Sequence, residues 1–130
     1  MIHRTHRFHG YNSLRYVYQH GQIARADKLN VKYIVNSRRS KYRLAVVVSR
    51  KVSKSAVVRN RIRRRVYEFV RIREPQITRP YDIVVTAFDE KFANLSAPKL
   101  DKTLNDLFRD TGLFSNQPKA PHVIVNKKEN

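Results

Sequence analysis

The 130-residue chain contains no cysteine, no long apolar run and few acidic residues. The absence of cysteine excludes disulfides and thiolate metal sites and is typical of a reducing compartment. Uninterrupted apolar runs are only a few residues long, as at residues 44–48, so no segment is predicted to span a membrane. The first ten residues have no apolar stretch behind their charges, which argues against a secretory signal. We therefore expect a cytoplasmic protein.

The shortage of acidic residues leaves the chain strongly basic. Ten acids stand against 28 Lys and Arg residues, and the formal net charge is +18. Charge of this size in one small domain is typical of a protein that binds a polyanion. The charge is also uneven, since residues 1–75 hold 20 basic and 3 acidic residues, whereas residues 76–130 hold 8 and 7. The basic function is therefore predicted to lie in the first part of the chain.

Hydrophobic periodicity predicts one α+β domain with a sheet of about four strands. Helices are predicted over 11–21, 55–75 and 96–112, and strands over 22–37 (as one or two), 42–49 and 81–88. The resulting order is α-β-β-β-α-β-α. The expected helix N-caps are Asn12 or Ser13, Ser55 and Ser96. The strand over 42–49 is apolar on both faces, which favours a central position in the sheet.

The segments that flank this domain differ from it in composition. Residues 1–10 are expected to form a basic, flexible segment, and residues 11–114 the α+β domain. The polar tail over 115–130 is expected to be flexible as well, although 122–126 has a pattern that permits a strand.

Five of the seven residues from Arg59 to Arg65 are arginine, and they surround an apolar stripe of Val58, Ile62 and Val66. The stripe has the helical period and is predicted to be core. A solvated charged face is the alternative explanation for the arginines, but such faces normally mix charges of both signs. Arginine binds phosphate through a planar fork of donors, so this helix is predicted to bind nucleic acid.

The segment "RNRIRRR" after "SRKVSKSAVV" resembles the signature of the bacterial ribonuclease P protein subunit, and the resemblance covers residues 7 to about 114. It implies a protein that assists an RNA catalyst, with magnesium ions held through the RNA and no tightly bound cofactor. The implied partners are one catalytic RNA subunit per protein and precursor tRNA, with no obligate protein partner. It also implies a left-handed β-α-β crossover, although about 98% of such crossovers are right-handed.

The resemblance assigns roles to three groups of residues, and none of them is catalytic or metal-binding. The catalytic RNA is expected to contact Arg59, Asn60, Arg61, Arg63 and Arg64. A basic loop near both the RNA and the leader of precursor tRNA contains Arg50, Lys51 and Lys54. A cleft for the single-stranded 5′ leader is expected to include Leu14, Tyr18 and Tyr33.

All three of these cleft residues leave alternatives open. Position 14 is aliphatic where the family commonly has an aromatic residue, so Tyr11 or Tyr16 is a candidate to replace the missing ring. Tyr18 and Tyr33 also fit a simpler role as core residues whose hydroxyl groups reach the surface.

Two other functions compete with this interpretation. The first is a nucleic-acid-binding module of another kind, such as a ribosomal or nucleoid protein. The second is an autonomous nuclease, which needs clustered carboxylates to hold metal ions. The candidate carboxylates are Asp82, Asp89 and Glu90, which lie in the less basic half of the chain. His3, His6 and His9 recur every three residues, but no acid accompanies them, so we do not predict a metal site there.

Overall fold

Three helices and four strands follow one another in the order expected from the sequence. The structure is a computed structural model that describes residues 6–8 and 10–115. The helices are α1 (Tyr11–His20), α2 (Ala56–Ile72) and α3 (Ala97–Arg109). The strands are β1 (Gln22–Ala26), β2 (Leu29–Val35), β3 (Arg43–Val47) and β4 (Tyr81–Ala87). Short 3₁₀ turns follow α2 at Glu74–Gln76 and β4 at Glu90–Ala93.

The four strands form one mixed sheet in the order β1-β2-β4-β3. β1 and β2 form an antiparallel hairpin whose turn places Asp27 at a φ of 54°, a conformation that aspartate tolerates better than most residues. β2 and β4 are antiparallel, whereas β3 and β4 are parallel. A parallel pair requires a crossover connection, and α2 provides it. The element order and this crossover are consistent with the expected α+β fold.

Helices cover both faces of the sheet. One face packs against α2 and α3 in the main core, which includes Val31 and Leu44. The opposite face packs against α1 in a smaller cluster that includes Val17, Ala45 and Val84. Successive side chains of a strand point to opposite faces, so the neighbours Leu44 and Ala45 belong to different clusters.

The position of β3 corrects one prediction. β3 was expected at the centre of the sheet, but it lies at the end of the strand order, and β2 and β4 are the central strands. The apolar side chains on both faces of β3 are explained by the helices on either side, because Leu44 lies in the main core and Ala45 in the smaller cluster. Apolar side chains on both sides of β3 therefore indicate that both faces of the sheet are covered there. They do not indicate that β3 is a central strand.

The helix caps agree with the sequence in two of three cases. The Ser55 side chain accepts a hydrogen bond from the Val58 amide (3.2 Å) at the start of α2, and Ser96 accepts one from Lys99 (3.4 Å) at the start of α3. The prediction for α1 is wrong, because its N-cap is Gly10 and no side chain caps it.

Residues 6–8 lie along the outer edge of β3. Arg7 forms a parallel bridge with Leu44, and the Phe8 amide donates to the Leu44 carbonyl (3.4 Å). Phe8 is buried in the same cluster as Val17. These three residues, expected in a flexible segment, are therefore paired with the sheet. The rest of the predicted tail beyond Ser115, including its possible strand at 122–126, lies outside the described residues.

Candidate nucleic-acid interface

Helix α2 presents its arginines because its apolar stripe fixes how the helix is rotated. Ile62, Val66, Phe69 and Val70 are buried against the sheet and α3, and Val58 packs against the same core. This confirms that the stripe predicted from the sequence is core. Five of the residues between Val58 and Val66 are arginines, and each of them is exposed or only half-buried.

Three of the five arginines are fixed by hydrogen bonds within the protein. Arg59 Nη1 donates to the Ser53 carbonyl (2.8 Å), and Arg61 Nη1 donates to the side chain of Asn94 (3.2 Å). Arg65 donates to two carbonyls, those of Phe92 (2.8 Å) and Leu95 (2.6 Å). Arg65 therefore connects α2 to the segment before α3, and its role is structural.

Asn60, Arg63 and Arg64 form a group on α2 that is called its open face below. They lie three or four residues apart and so share one face. Asn60 and Arg64 are exposed, and neither side chain has a hydrogen bond or ion pair within residues 6–8 and 10–115. Arg63 is half-buried, and its Nη1 atom is buried with no hydrogen-bond acceptor in the same part of the chain. A buried donor without an acceptor typically costs about 1–3 kcal/mol, so this face is not optimised for the isolated protein.

Carboxylates do not neutralise these arginines. Among the described residues, none of the five forms an ion pair with Asp or Glu, and the nearby Glu68 pairs with Arg71. Neighbouring positive charges repel one another in the free protein. The arrangement is favourable when an anionic partner supplies the missing negative charge.

The basic loop lies directly before α2. Arg50, Lys51 and Lys54 are all exposed. The loop is shaped by hydrogen bonds from the Val52 amide to the Ser49 carbonyl (3.1 Å) and from the Ser55 amide to the Ser53 hydroxyl (3.2 Å). The bond between Arg59 and Ser53 ties the loop to the first turn of α2. The loop cations therefore lie next to the first turn of the arginine helix.

The leader cleft was predicted between α1 and the sheet, and Leu14 and Tyr18 both lie on α1. Leu14 is half-buried against the cluster that includes Val17. Tyr18 is 40% exposed, and the ammonium of Lys32 lies 5.0 Å from the centroid of its ring. This surface thus combines an aromatic ring and a positive charge. Tyr16 is more exposed, and its ring lies at a tilt of 39° to that of His20, with the ring centroids 4.5 Å apart.

Tyr33 does not line this cleft, which corrects the prediction. It is 4% exposed and belongs to the main core, on the face of the sheet opposite α1. Its ring meets Tyr81 edge to face, with centroids 6.1 Å apart. Burial, together with Tyr81 and Asp110, raises the pKa of Tyr33 to about 12. Of the two interpretations considered for Tyr33, the core interpretation is the one that the structure supports.

Sequence reasoning missed two residues. Lys32 precedes Tyr33 and points to the α1 face, as the contact with Tyr18 shows. The alternation of β2, in which Leu29, Val31 and Tyr33 are the buried positions, contained the signal for this assignment. Arg7 was assigned to a flexible segment but is positioned beside α2 by its pairing with β3. No local pattern in the sequence indicated that pairing.

The candidate carboxylates of a nuclease do not converge. Asp82 is buried and accepts two hydrogen bonds from Arg43 (2.9 and 2.8 Å) and one from Asn36 (2.9 Å). Asp89 caps the 3₁₀ turn at Glu90–Ala93. Within the part of the chain that the structure describes, no three His, Cys, Asp or Glu side chains come together as ligands for a metal ion. His3 and His9 lie outside that part, and His6 stacks on Tyr42.

Among the described residues, no helix is both long enough and apolar enough to span a membrane.

Comparison with solved structures identifies the class of fold. The RNase P protein of Staphylococcus aureus matches with a TM-score of 0.75 at 22% identity, over 84% of this chain and 97% of that one. The RNase P protein of Thermotoga maritima matches with a TM-score of 0.68 at 25% identity, over 78% of this chain and 93% of that one. The chain therefore has the fold of bacterial RNase P proteins.

Sequence comparison identifies the family within this class. The family model Ribonuclease P matches residues 2–112, and the chain belongs to this family. The ribonuclease P protein component of Synechocystis sp. is 26% identical over 121 residues, which is 93% of this chain and 97% of that protein. The corresponding protein of Clostridioides difficile is 34% identical over 107 residues, which is 78% of this chain and 88% of that protein.

Proposed function

We propose that this chain binds the catalytic RNA of ribonuclease P and the 5′ leader of precursor tRNA, and that it assists removal of the leader to give the mature 5′ end. The observation that carries the proposal is the open face of α2, where Arg63 and Arg64 have no acidic partner among the described residues and Arg63 has a buried donor without an acceptor. RNA phosphates supply both the negative charge and the acceptors that this face lacks.

The basic loop extends this surface toward the substrate. Arg50, Lys51 and Lys54 are exposed and lie next to the first turn of α2. Clustered cations beside an arginine helix form a continuous positive surface, which binds RNA phosphates without selecting a sequence.

The leader is proposed to bind between α1 and the sheet, at Leu14, Tyr18 and Lys32. A single strand is bound best by positive charge combined with aromatic faces on which bases stack, and Tyr18 and Lys32 supply one of each. Leu14 contributes an apolar wall. This surface distinguishes precursor tRNA from mature tRNA, because only the precursor has a leader.

The chemical step is proposed to belong to the RNA subunit. The described side chains offer no cluster of carboxylates for the magnesium ions that cleavage requires, and the candidates Asp82 and Asp89 already have structural partners. Magnesium would supply charge stabilisation when bound through the RNA. The protein is proposed to act as one copy per catalytic RNA, with no obligate protein partner, in the cytoplasm.

Reconstituted cleavage tests the proposal. Purified protein is combined with a bacterial ribonuclease P RNA and labelled precursor tRNA at low magnesium, and we expect faster cleavage than with the RNA alone. Arg63→Ala combined with Arg64→Ala should remove most of the stimulation. The matched control combines Arg71→Ala with Arg109→Ala, because it also removes two exposed arginines, which pair with Glu68 and Asp106.

Two results would contradict the proposal. Binding to the RNA without any stimulation would indicate a nucleic-acid-binding protein of another kind. Cleavage by the protein in the absence of the RNA subunit would indicate an autonomous nuclease.

A further inference from the structure

Residues 6–8 lie beside β3 at the edge of the sheet, and contacts with several parts of the protein fix their position. The bridge between Arg7 and Leu44 aligns the segment with the sheet. Phe8 is 5% exposed, and the guanidinium of Arg43 lies 4.6 Å from its ring centroid. The backbone of Arg7 is therefore fixed on one side by a buried aromatic residue, while its side chain is exposed.

His6 fixes the segment on the other side of Arg7. Its ring stacks on Tyr42 with a centroid distance of 4.1 Å, and its Nδ1 atom lies 2.9 Å from the Tyr42 carbonyl oxygen. The Tyr42 hydroxyl donates to Glu74 (2.6 Å), and His6 Nε2 lies 3.8 Å from the same carboxylate oxygen. These contacts connect the segment to the start of β3 and to the 3₁₀ turn that follows α2.

A cleft of about 500 Å³ lies between this segment and α2. Its lining residues are Arg7, Val57, Asn60, Arg63, Arg64 and Tyr67. The lining thus contains three guanidinium groups and one amide, and it contains no acidic residue. The side chain of Arg7 forms no hydrogen bond or ion pair with the described residues, and Arg63 contributes its buried donor.

The hydroxyl group of Tyr67 lies close to two of these positive charges. Burial raises the pKa of Tyr67, but the charges of Arg7 and Arg63 and a hydrogen bond with the Val46 backbone act in the opposite direction. Arg7 and Arg63, which are 56 positions apart in the chain, therefore act on the same hydroxyl group.

The chemistry of the cleft suits a phosphodiester. Guanidinium groups bind phosphate oxygens through paired hydrogen bonds, and Asn60 can both donate and accept toward a ribose. Val57, which is 68% exposed, offers an apolar surface to the sugar or base. A single carboxylate or a small metabolite has too few negative charges to pair with three arginines. An RNA backbone has a phosphate at every nucleotide, so it can place several negative charges along this surface.

We propose that this cleft is a phosphate-binding site for RNA, in which Arg7 contacts a phosphate directly and His6 is a positioning residue that holds Arg7 opposite Arg63 and Arg64. The proposal rests on the proposed function and adds the N-terminal segment to the interface. The site is formed only when residues 6–8 are paired with β3. A protein that retains Arg7 but loses this pairing therefore loses the contact.

The experiment measures how the binding constant of the full chain for ribonuclease P RNA changes with salt. Each phosphate contact contributes roughly 0.7–0.9 to the slope of log K against log salt. Arg7→Ala should lower the magnitude of the slope by roughly 0.7–0.9, the contribution of one phosphate contact. Arg109→Ala is the matched control and should leave the slope unchanged. Arg7→Lys retains a charge and should keep most of the slope while weakening binding, because it loses the planar fork.

His6→Ala tests the positioning role. It should flatten the slope about as much as Arg7→Ala although Arg7 is still present, and the double variant should show no further change. Circular dichroism on each variant verifies folding, and loss of stability alone would not alter the slope of the folded protein. An equal slope for wild type and Arg7→Ala would overturn the site, and an unchanged slope for His6→Ala would overturn the positioning role.

The same titration with precursor tRNA alone distinguishes the source of the phosphate. A change confined to the catalytic RNA assigns the phosphate to that subunit, and a change confined to precursor tRNA assigns it to the substrate. If the wild-type protein does not bind either RNA, the proposed function itself fails. If wild type binds with a steep slope that Arg7→Ala leaves intact, only this inference fails.

Discussion

The ammonium group of Lys32 lies 5.0 Å from the ring centroid of Tyr18, so strand β2 presents its lysine to helix α1. A cation above an aromatic face contributes about 0.5–1 kcal/mol at an exposed site. The pair leaves Tyr18 40% exposed, which keeps part of its ring available for stacking with a base. Tyr18 and Lys32 are therefore the pair of side chains that we propose to contact the leader.

Tyr18→Ala is expected to weaken binding of precursor tRNA to the reconstituted enzyme by about 1–2 kcal/mol, because stacking on an aromatic side chain contributes about 1–3 kcal/mol per base. Binding of mature tRNA and assembly with the RNA subunit should change little. The measurement is the affinity for precursors whose leaders increase in length. If wild type and Tyr18→Ala gain affinity equally as the leader grows, Tyr18 does not contact the leader.

Arg65→Ala is expected to destabilise the fold by about 1–3 kcal/mol, because the carbonyls of Phe92 and Leu95 lose their donors. Arg64→Ala is the matched control. Its side chain is exposed, so we expect a change within about 0.5 kcal/mol. Urea denaturation measures both variants, and equal stability would show that the two adjacent arginines have the same role.

Ile62→Ala is expected to cost about 2–5 kcal/mol of the free energy of unfolding, since Ile62 is fully buried beneath the arginine face. RNA binding should be lost only to the extent that the protein unfolds. A variant that remains as stable as wild type but no longer binds RNA would place Ile62 at the interface.

Tyr33→Phe is expected to make the protein less sensitive to high pH. The pKa of Tyr33 is about 12 in the folded protein, above the ordinary value of 10.0. The unfolded chain therefore loses this proton first, and the stability associated with Tyr33 is complete below about pH 10 and decreases as pH rises toward 12. Urea denaturation of both proteins at neutral pH and near pH 11 measures the difference. An identical pH dependence would show that the Tyr33 hydroxyl is not buried.

The sequence predicted the order of the elements and the core stripe of α2 because both depend on local periodicity. The caps at Ser55 and Ser96 were predicted for the same reason, since a cap is formed by residues three positions apart. The position of β3 was not predicted, because strand order depends on pairings between residues far apart in the chain.

The sequence indicated which segments contain the candidate site. It was less successful in assigning roles to individual side chains within those segments. The five arginines are equivalent in the sequence, and only the position of Phe92 and Leu95 makes Arg65 a structural residue. Tyr33 was placed in the cleft by resemblance, although the alternation along β2 places it in the core. Arg7 reaches α2 only through a pairing with β3 that no local pattern reveals.

The central claim is that the open face of α2 binds RNA phosphates, and the salt dependence of binding tests it most directly. The affinity of the wild-type protein for ribonuclease P RNA is measured over a range of salt concentrations and compared with that of Arg63→Ala combined with Arg64→Ala. The control combines Arg71→Ala with Arg109→Ala, which removes the same charge from residues that pair with Glu68 and Asp106. We expect the first variant to flatten the log–log slope by between about one and two units and the control to leave it unchanged. An unchanged slope in the first variant, or an equal change in both, would contradict the account.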